Sequence, residues 1–330
     1  MEYRNLGNSG LKVSEISLGS WISFKNSNDI EIPKSIIHKA YETGINFFDT
    51  ANGYQGGEAE SILGKVLSDF SRDSYVVATK VYWPVGPEIN NRGLSRKHIF
   101  SQVEKSLERL RTDYIDVYYC HWYDSETPLE ETLCAMDDLV KKGVIRYYGV
   151  SNWTAAQIAY GLYFIEKYNL YKITTNQPSY SLLDRYIEEE TIPLCTREGI
   201  GQVVYSPLAQ GVLTGKYTRK TTPPKGSRAL NPLAKGEVSI RDFLTDPILE
   251  CVEKLKIIAQ NNSLSLTEMS LAWIMQNKNV SSAIVGASNP EQVVMNSKAS
   301  GIILTAEIIE EIEQVLNECS FTLKHNIVPW

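Results

Sequence analysis

Four side chains of different chemistry stand just beyond short apolar runs in this sequence. Asp49 follows Ile45–Phe48, Lys80 follows Tyr75–Thr79, His121 follows Ile115–Cys120, and Tyr54 lies shortly after Asp49. A phenol with an unperturbed pKa of about 10 is a poor acid at neutral pH. A neighbouring ammonium favours the phenolate and draws that pKa toward the working range. A carboxylate can hold the ammonium in place and keep it charged in a partly dry site. An imidazole can orient an oxygen atom or assist the relay of its proton. Taken together, Asp49, Lys80, Tyr54 and His121 suit proton delivery to a carbonyl oxygen while a hydride reaches the carbon. Taken singly, each has an ordinary explanation. Strands commonly end in polar residues, His121 is one of four histidines, and Tyr54 is one of 19 tyrosines. It is their joint placement that points to chemistry. Rival chemistries are poorly served. There is no GxSxG nucleophile elbow, no HExxH for a catalytic zinc, and no prominent pairing of carboxylates at the run ends for a glycosidase.

Such a set must be held by a repeating scaffold, and the chain carries one. Strand-like runs occur at Glu15–Leu18, Ile45–Phe48, Tyr75–Thr79, Ile115–Cys120, Tyr147–Val150, Ile173–Asn176, Gln202–Tyr205 and Ser282–Val285. Continuous apolar runs of this kind suit strands buried on both faces of a parallel sheet. Amphipathic helical periods lie between them, as in Ile99, Val103, Leu107 and Leu110, and in Leu129, Leu133, Met136 and Val140. Ser95 and Thr154 are placed as helix caps, and Pro128 and Pro290 suit a first helical turn. Eight strand–helix repeats predict an α/β fold, a (β/α)8 TIM barrel, with an open doubly wound sheet as the rival. In such a barrel the strand C-termini build the site. Ser151 and Asn152, Gln177, and Tyr205 with Ser206 end further runs and belong to the same face. Tyr3–Val13, with its Gly7-Asn8-Ser9-Gly10 turn, predicts a small N-terminal β-hairpin. Thr218–Thr245, rich in Lys, Arg, Pro and Gly, reads as a long loop, either functional or disordered. An extra C-terminal helix near Ala306–Leu316, and the tail to Trp330, fall outside the repeat.

Composition bounds the class. The 330 residues suit a single barrel domain, since α/β barrels run past ~250 residues without division. A net charge of −6 disfavours a general nucleic-acid binder. Five scattered cysteines with no CxxC pair fit a reducing compartment. With neither a signal-peptide pattern nor a membrane-length apolar stretch, a cytoplasmic location is expected.

Several ordered motifs resemble one family. Asp49-Thr50-Ala51-Asn52-Gly53-Tyr54 with Gly57-Glu58 resembles the aldo-keto reductase signature around its catalytic Asp and Tyr. Lys80, the run Asp113–Trp122 ending at His121, and Gly143–Trp153 are similar to its further landmarks. The resemblance implies a reductase of small-molecule carbonyls that uses NADPH/NADP+ without a Rossmann fold. In keeping with that, no GxGxxG follows any strand. It implies catalytic roles for Tyr54, Lys80, Asp49 and His121. Ser151, Asn152 and Gln177 would hold the nicotinamide carboxamide, Tyr205 would stack on its ring, and Gly19-Ser20-Trp21 would line the same site. Ser206-Pro207-Leu208-Ala209-Gln210-Gly211 and Lys216 resemble the pyrophosphate loop of one branch. That branch includes bacterial general-stress reductases and the β subunits of voltage-gated potassium channels. Arg228 matches its 2′-phosphate contact, which would favour NADP over NAD. Gly286 to Gln292 would open a helix whose N-terminal amides suit a phosphate, and Ser288, Gln292 and Asn296 would clasp the adenosine end. Trp21, Trp83, Trp122 and Trp153 all follow predicted strands or their motifs and read as lining an aromatic pocket, in which Trp21, Tyr54, Trp83, His121 and Trp122 would face the substrate. Position 295 is Met where this branch commonly has Glu. A regulatory subunit that binds NADPH with little turnover is the alternative, but His121 stands where channel subunits typically carry Asn.

Overall fold

Eight short strands, nearly every residue of them buried, close on one another. The computed structural model describes residues 1–21, 30–219, 221–230, 240–319, 321 and 323. A hairpin comes first, β1 (Tyr3–Asn5) pairing antiparallel with β2 (Lys12–Ser14). The barrel strands follow: β3 (Ile16–Gly19), β4 (Phe47–Asp49), β5 (Val76–Val81), β6 (Ile115–Cys120), β7 (Ile145–Ser151), β8 (Thr175–Gln177), β9 (Gly201–Val204) and β10 (Val280–Val285). They pair in parallel in chain order, and β10 closes onto β3. Each coincides with an apolar run anticipated above, shifted by a few residues at the ends. The fold is the (β/α)8 barrel with an N-terminal hairpin, and the doubly wound alternative is excluded by closure.

The two-residue period of a strand decides what faces inward. On β5, Val76 and Ala78 pack with Phe47, Val117, Tyr119, Val203 and Ile284 in one cluster, joined by Leu6 and Val13 of the hairpin. Val77 and Val81 instead pack in the larger cluster beneath the helices. Lys80 shares the alternation of Val76 and Ala78, so its side chain belongs to the interior.

The surrounding helices are α1 (Glu31–Glu42), α2 (Glu58–Leu67), α3 (Arg96–Leu110), α4 (Leu129–Lys141), α5 (Ala155–Tyr168), α6 (Thr191–Glu198), α7 (Ile240–Phe243), α8 (Asp246–Asn261), α9 (Leu266–Gln276), α10 (Pro290–Ser297) and α11 (Ala306–Glu318). Ser95 caps α3 by accepting from the His98 amide, and Thr154 with Gln157 forms a reciprocal capping box on α5. Pro290 takes the first position of α10 behind the Asn289 cap. Pro128 departs from expectation. It is the capping residue of α4, in extended backbone, rather than part of its first turn. The described part of Thr218–Thr245 is also more ordered than a loop reading implies. It contains a 3-10 turn at Arg228–Leu230 and the short helix α7, whose Ile240 and Phe243 are buried one turn apart. Residues 220 and 231–239 of that stretch, and Trp330, lie outside the described residues.

Candidate active site

β5 carries Lys80 into the barrel, where no solvent reaches it. Its ammonium donates to Asp49 Oδ1 at 2.5 Å and to the Thr50 carbonyl at 2.7 Å. Asp49 ends the neighbouring strand β4, and its other oxygen accepts from Gln177 Nε2 at 2.9 Å across the barrel. The carboxylate is therefore engaged on both sides. Burial pulls the Lys80 ammonium below its ordinary range, and the Asp49 charge resists that pull. Removing either partner would leave the other as an unpaired buried charge.

Tyr54 comes from a 3-10 turn, Tyr54–Gly57, that follows β4 and leads directly into α2. Gln55, Gly56 and Gly57 in this turn all adopt left-handed backbone, at φ 52°, 66° and 94°. Gln55 ties the turn to the loop after β3 by donating to the Trp21 carbonyl at 3.1 Å. The Lys80 ammonium lies 5.2 Å from the centre of the Tyr54 ring. The His121 ring meets Tyr54 edge-on, with centroids 5.7 Å apart. His121 follows β6, and its amide donates to the Val81 carbonyl at 3.0 Å. Burial first, and then the Lys80 charge, hold its imidazole well below the usual histidine range, so it is neutral at neutral pH. Its Nδ1 is enclosed, with no hydrogen-bond partner among the described residues. All four residues that sequence reasoning singled out converge on one mouth.

Aromatic rings form a rim there. Trp21 lies 6.4 Å from Tyr54, Trp83 lies 6.4 Å from His121, and Trp122 lies 6.0 Å from Trp83. Trp83 is the exposed member, whereas Trp122 is nearly enclosed. Trp153 is not part of the rim. It is buried edge-on against Tyr123 and beside Gly161 of α5.

The remaining candidates extend from the tetrad along the strand ends. Ser151 Oγ donates to the Gln177 carbonyl at 2.8 Å, and Tyr205 OH donates to Asn152 Oδ1 at 3.0 Å. Asn152 and Ser206 have left-handed backbone at φ 57° and 53°, which turns the chain sharply at these ends. After Pro207 and Leu208, the residues Ala209, Gln210 and Gly211 are also left-handed, and a side chain at Gly211 would come within 3.1 Å of the Lys216 ammonium. This is the kind of turn whose amides and nearby charge suit an anion. Arg228 bridges back across the mouth, with its guanidinium carbon 4.6 Å from the centre of the Trp21 ring. Burial lowers its pKa to about 10, and its Nε and one terminal nitrogen are enclosed without partners among the described residues. Ser20 Oγ is likewise buried and unpartnered, while its amide donates to the Asp49 carbonyl at 3.0 Å. Gly286 is exposed beyond β10; Ser288 donates from its amide and hydroxyl to Gln292 Oε1 at 2.9 and 3.2 Å. Asn296 is buried on α10, and Met295 beside it is exposed. Sequence reasoning missed the Thr50 carbonyl and the Gln55 amide as supports. Backbone acceptors leave no mark in residue type, but the position of Gln55 beside Tyr54 was a usable signal. Among the described residues no group of His, Cys, Asp and Glu could hold a metal ion, and no helix is long and apolar enough to cross a membrane.

Comparison with known proteins identifies the family. The profile described as the aldo/keto reductase family matches residues 15–317. A probable voltage-gated potassium channel subunit beta of Arabidopsis thaliana is 41% identical over 96% of this chain and 97% of its own length. A protein of the same description from Oryza sativa subsp. japonica is 41% identical over the same shares. A putative voltage-gated potassium channel subunit beta of Schizosaccharomyces pombe is 39% identical over 96% of this chain and 93% of its own length. The buried Asp49–Lys80 pair beneath Tyr54 and His121 thus sits in a chain that belongs to the aldo/keto reductase family.

Proposed function

We propose that this chain reduces aldehyde or ketone carbonyls to alcohols with NADPH, using Tyr54 as the proton donor. The observation that carries the proposal is the convergence of Lys80, Asp49, Tyr54 and His121 at one barrel mouth. NADPH, when bound, supplies the hydride. The residues fit such a cofactor, because Ser20 Oγ and two Arg228 nitrogens are buried polar atoms still lacking partners among the described residues. Ser20, Trp21, Asp49, Ser151, Asn152, Gln177 and Tyr205 would hold the nicotinamide end. Ser206 to Gly211 and Lys216 would bind the pyrophosphate. Arg228, Gly286, Ser288, Gln292 and Asn296 would bind the adenosine 2′-phosphate end. Lys80 then stabilises negative charge developing on the Tyr54 oxygen as its proton leaves. Asp49 keeps Lys80 charged and fixed. The neutral His121 orients the carbonyl oxygen, while Trp21, Trp83 and Trp122 shape the substrate side. One barrel domain in the cytoplasm fits this role.

The named relatives favour a second reading, in which the chain is an NADPH-binding subunit that acts through a channel partner with little turnover. Loss of NADPH absorbance on adding 4-nitrobenzaldehyde or methylglyoxal separates the two. Steady turnover supports the reductase. Tight NADPH binding without turnover of either carbonyl supports the subunit.

A further inference from the structure

Glu60 is fully buried, on the first turn of α2, which starts directly after the turn that carries Tyr54. One of its oxygens accepts from Thr79 Oγ1 at 2.5 Å, and Thr79 is the residue before Lys80 on β5. The other accepts from Arg109 Nε of α3 at 2.6 Å. The Arg109 side chain in turn runs along Gly57, the last residue of the Tyr54 turn. A methyl group there would come within 2.9 Å of Arg109 Cδ. Gly57 also needs its left-handed φ of 94° to enter α2. One carboxylate therefore ties together three elements: the Lys80 strand, the Tyr54 turn and α3. No nearer polar connection between Tyr54 and Lys80 is required for their spacing to be fixed from behind.

We propose that Glu60 is a positioning residue which, with Thr79 and Arg109, holds the Tyr54 turn and the Lys80 strand in one geometry. This rests on Tyr54 and Lys80 being the proton-delivering pair proposed above. Glu60 never touches substrate. It acts by keeping the phenol over the ammonium, where a displacement of about 1 Å can cost up to ~100-fold in rate. Its charge also favours the Lys80 ammonium, adding to the effect of Asp49. A purely structural ion pair in the shell of the barrel would support stability and nothing more.

The test compares the wild-type chain with Glu60→Gln and with the double variant Glu60→Gln/Arg109→Met, which leaves no unpaired charge. The double variant should recover thermal stability lost by the single one. Its kcat for 4-nitrobenzaldehyde should stay down by about tenfold, with KM and NADPH affinity near wild type. The alkaline limb of its pH–rate profile should move to lower pH, because Lys80 loses its proton more readily without Glu60. Amide exchange across Ala51–Gly57 should quicken while the barrel strands keep their protection. A double variant with wild-type kcat, pH profile and exchange overturns the proposal. Exchange reads the clamp without turnover, so an inactive wild-type chain whose variants exchange faster across this turn would reject the reduction and support the clamp.

Discussion

The most informative residue is a lysine with no exposure, because burying an ammonium is expensive unless its partners are fixed. Lys80 has two such partners, and Asp49 is itself fixed by Gln177. The identities of these residues were legible from their positions after apolar runs. Their hydrogen bonds were not, since register across β4, β5 and β8 decides which side chains meet. Arg228 shows the same limit. The sequence places a cation in a basic loop, but only the fold brings it over Trp21 with nitrogens left to satisfy. If those nitrogens receive a 2′-phosphate, Arg228→Ala should raise the dissociation constant for NADPH by about tenfold or more while leaving NADH nearly unchanged, as expected for a charged hydrogen bond of ~1.5–3 kcal/mol. Fluorescence titration with both dinucleotides measures this, and equal weakening of both would reject the assignment. His121 makes a further prediction. Its folded pKa lies below the unfolded value of about 6.5. Its contribution to stability is therefore complete above that pH and is lost as pH falls toward the folded value. Chemical denaturation at pH 7.5 and 5.5 should show a shallower acid loss in His121→Gln than in the wild-type chain. An identical loss would mean that the imidazole is not held neutral.

At the scale of elements, the strands were the most legible part, because a parallel barrel demands residues that are buried on both faces. Two of the helix starts capped by a side chain, at Ser95 and Thr154, were legible. Thr154, with Gln157 in a reciprocal box, is the clearest case, and Thr154→Ala should cost about 1 kcal/mol of stability without altering turnover. Urea denaturation beside a kinetic assay checks both halves, and lost activity at full stability would reveal a role for this segment in the site. Pro128 was misread by one position because proline is favoured both in the first turn and in the extended backbone before it. The helix α7 was hidden for a different reason. Two apolar residues one turn apart, Ile240 and Phe243, are too few to announce a period, and they are buried where α7 packs against the turns Ala209–Thr214 and Arg228–Leu230. The turn from Tyr54 to Gly57 lay within a quoted motif, but its three consecutive left-handed residues were not legible.

For the whole molecule, closure converts a linear order of strand ends into a ring, and residues far apart in the chain become neighbours around one mouth. Gln177 and Asp49, 128 positions apart, share a hydrogen bond for this reason. The repeat count made the barrel legible, and its closure made the convergence follow. The substrate was not legible, since an aromatic rim of Trp21, Trp83 and Trp122 accepts many carbonyl compounds. The central claim is that the Tyr54 hydroxyl, on the ring beside the Lys80 ammonium, delivers the proton. Tyr54→Phe removes that hydroxyl and keeps the ring. Steady-state reduction of 4-nitrobenzaldehyde should fall by at least ~100-fold in this variant, with NADPH affinity close to wild type. Reduction at the wild-type rate would contradict the account.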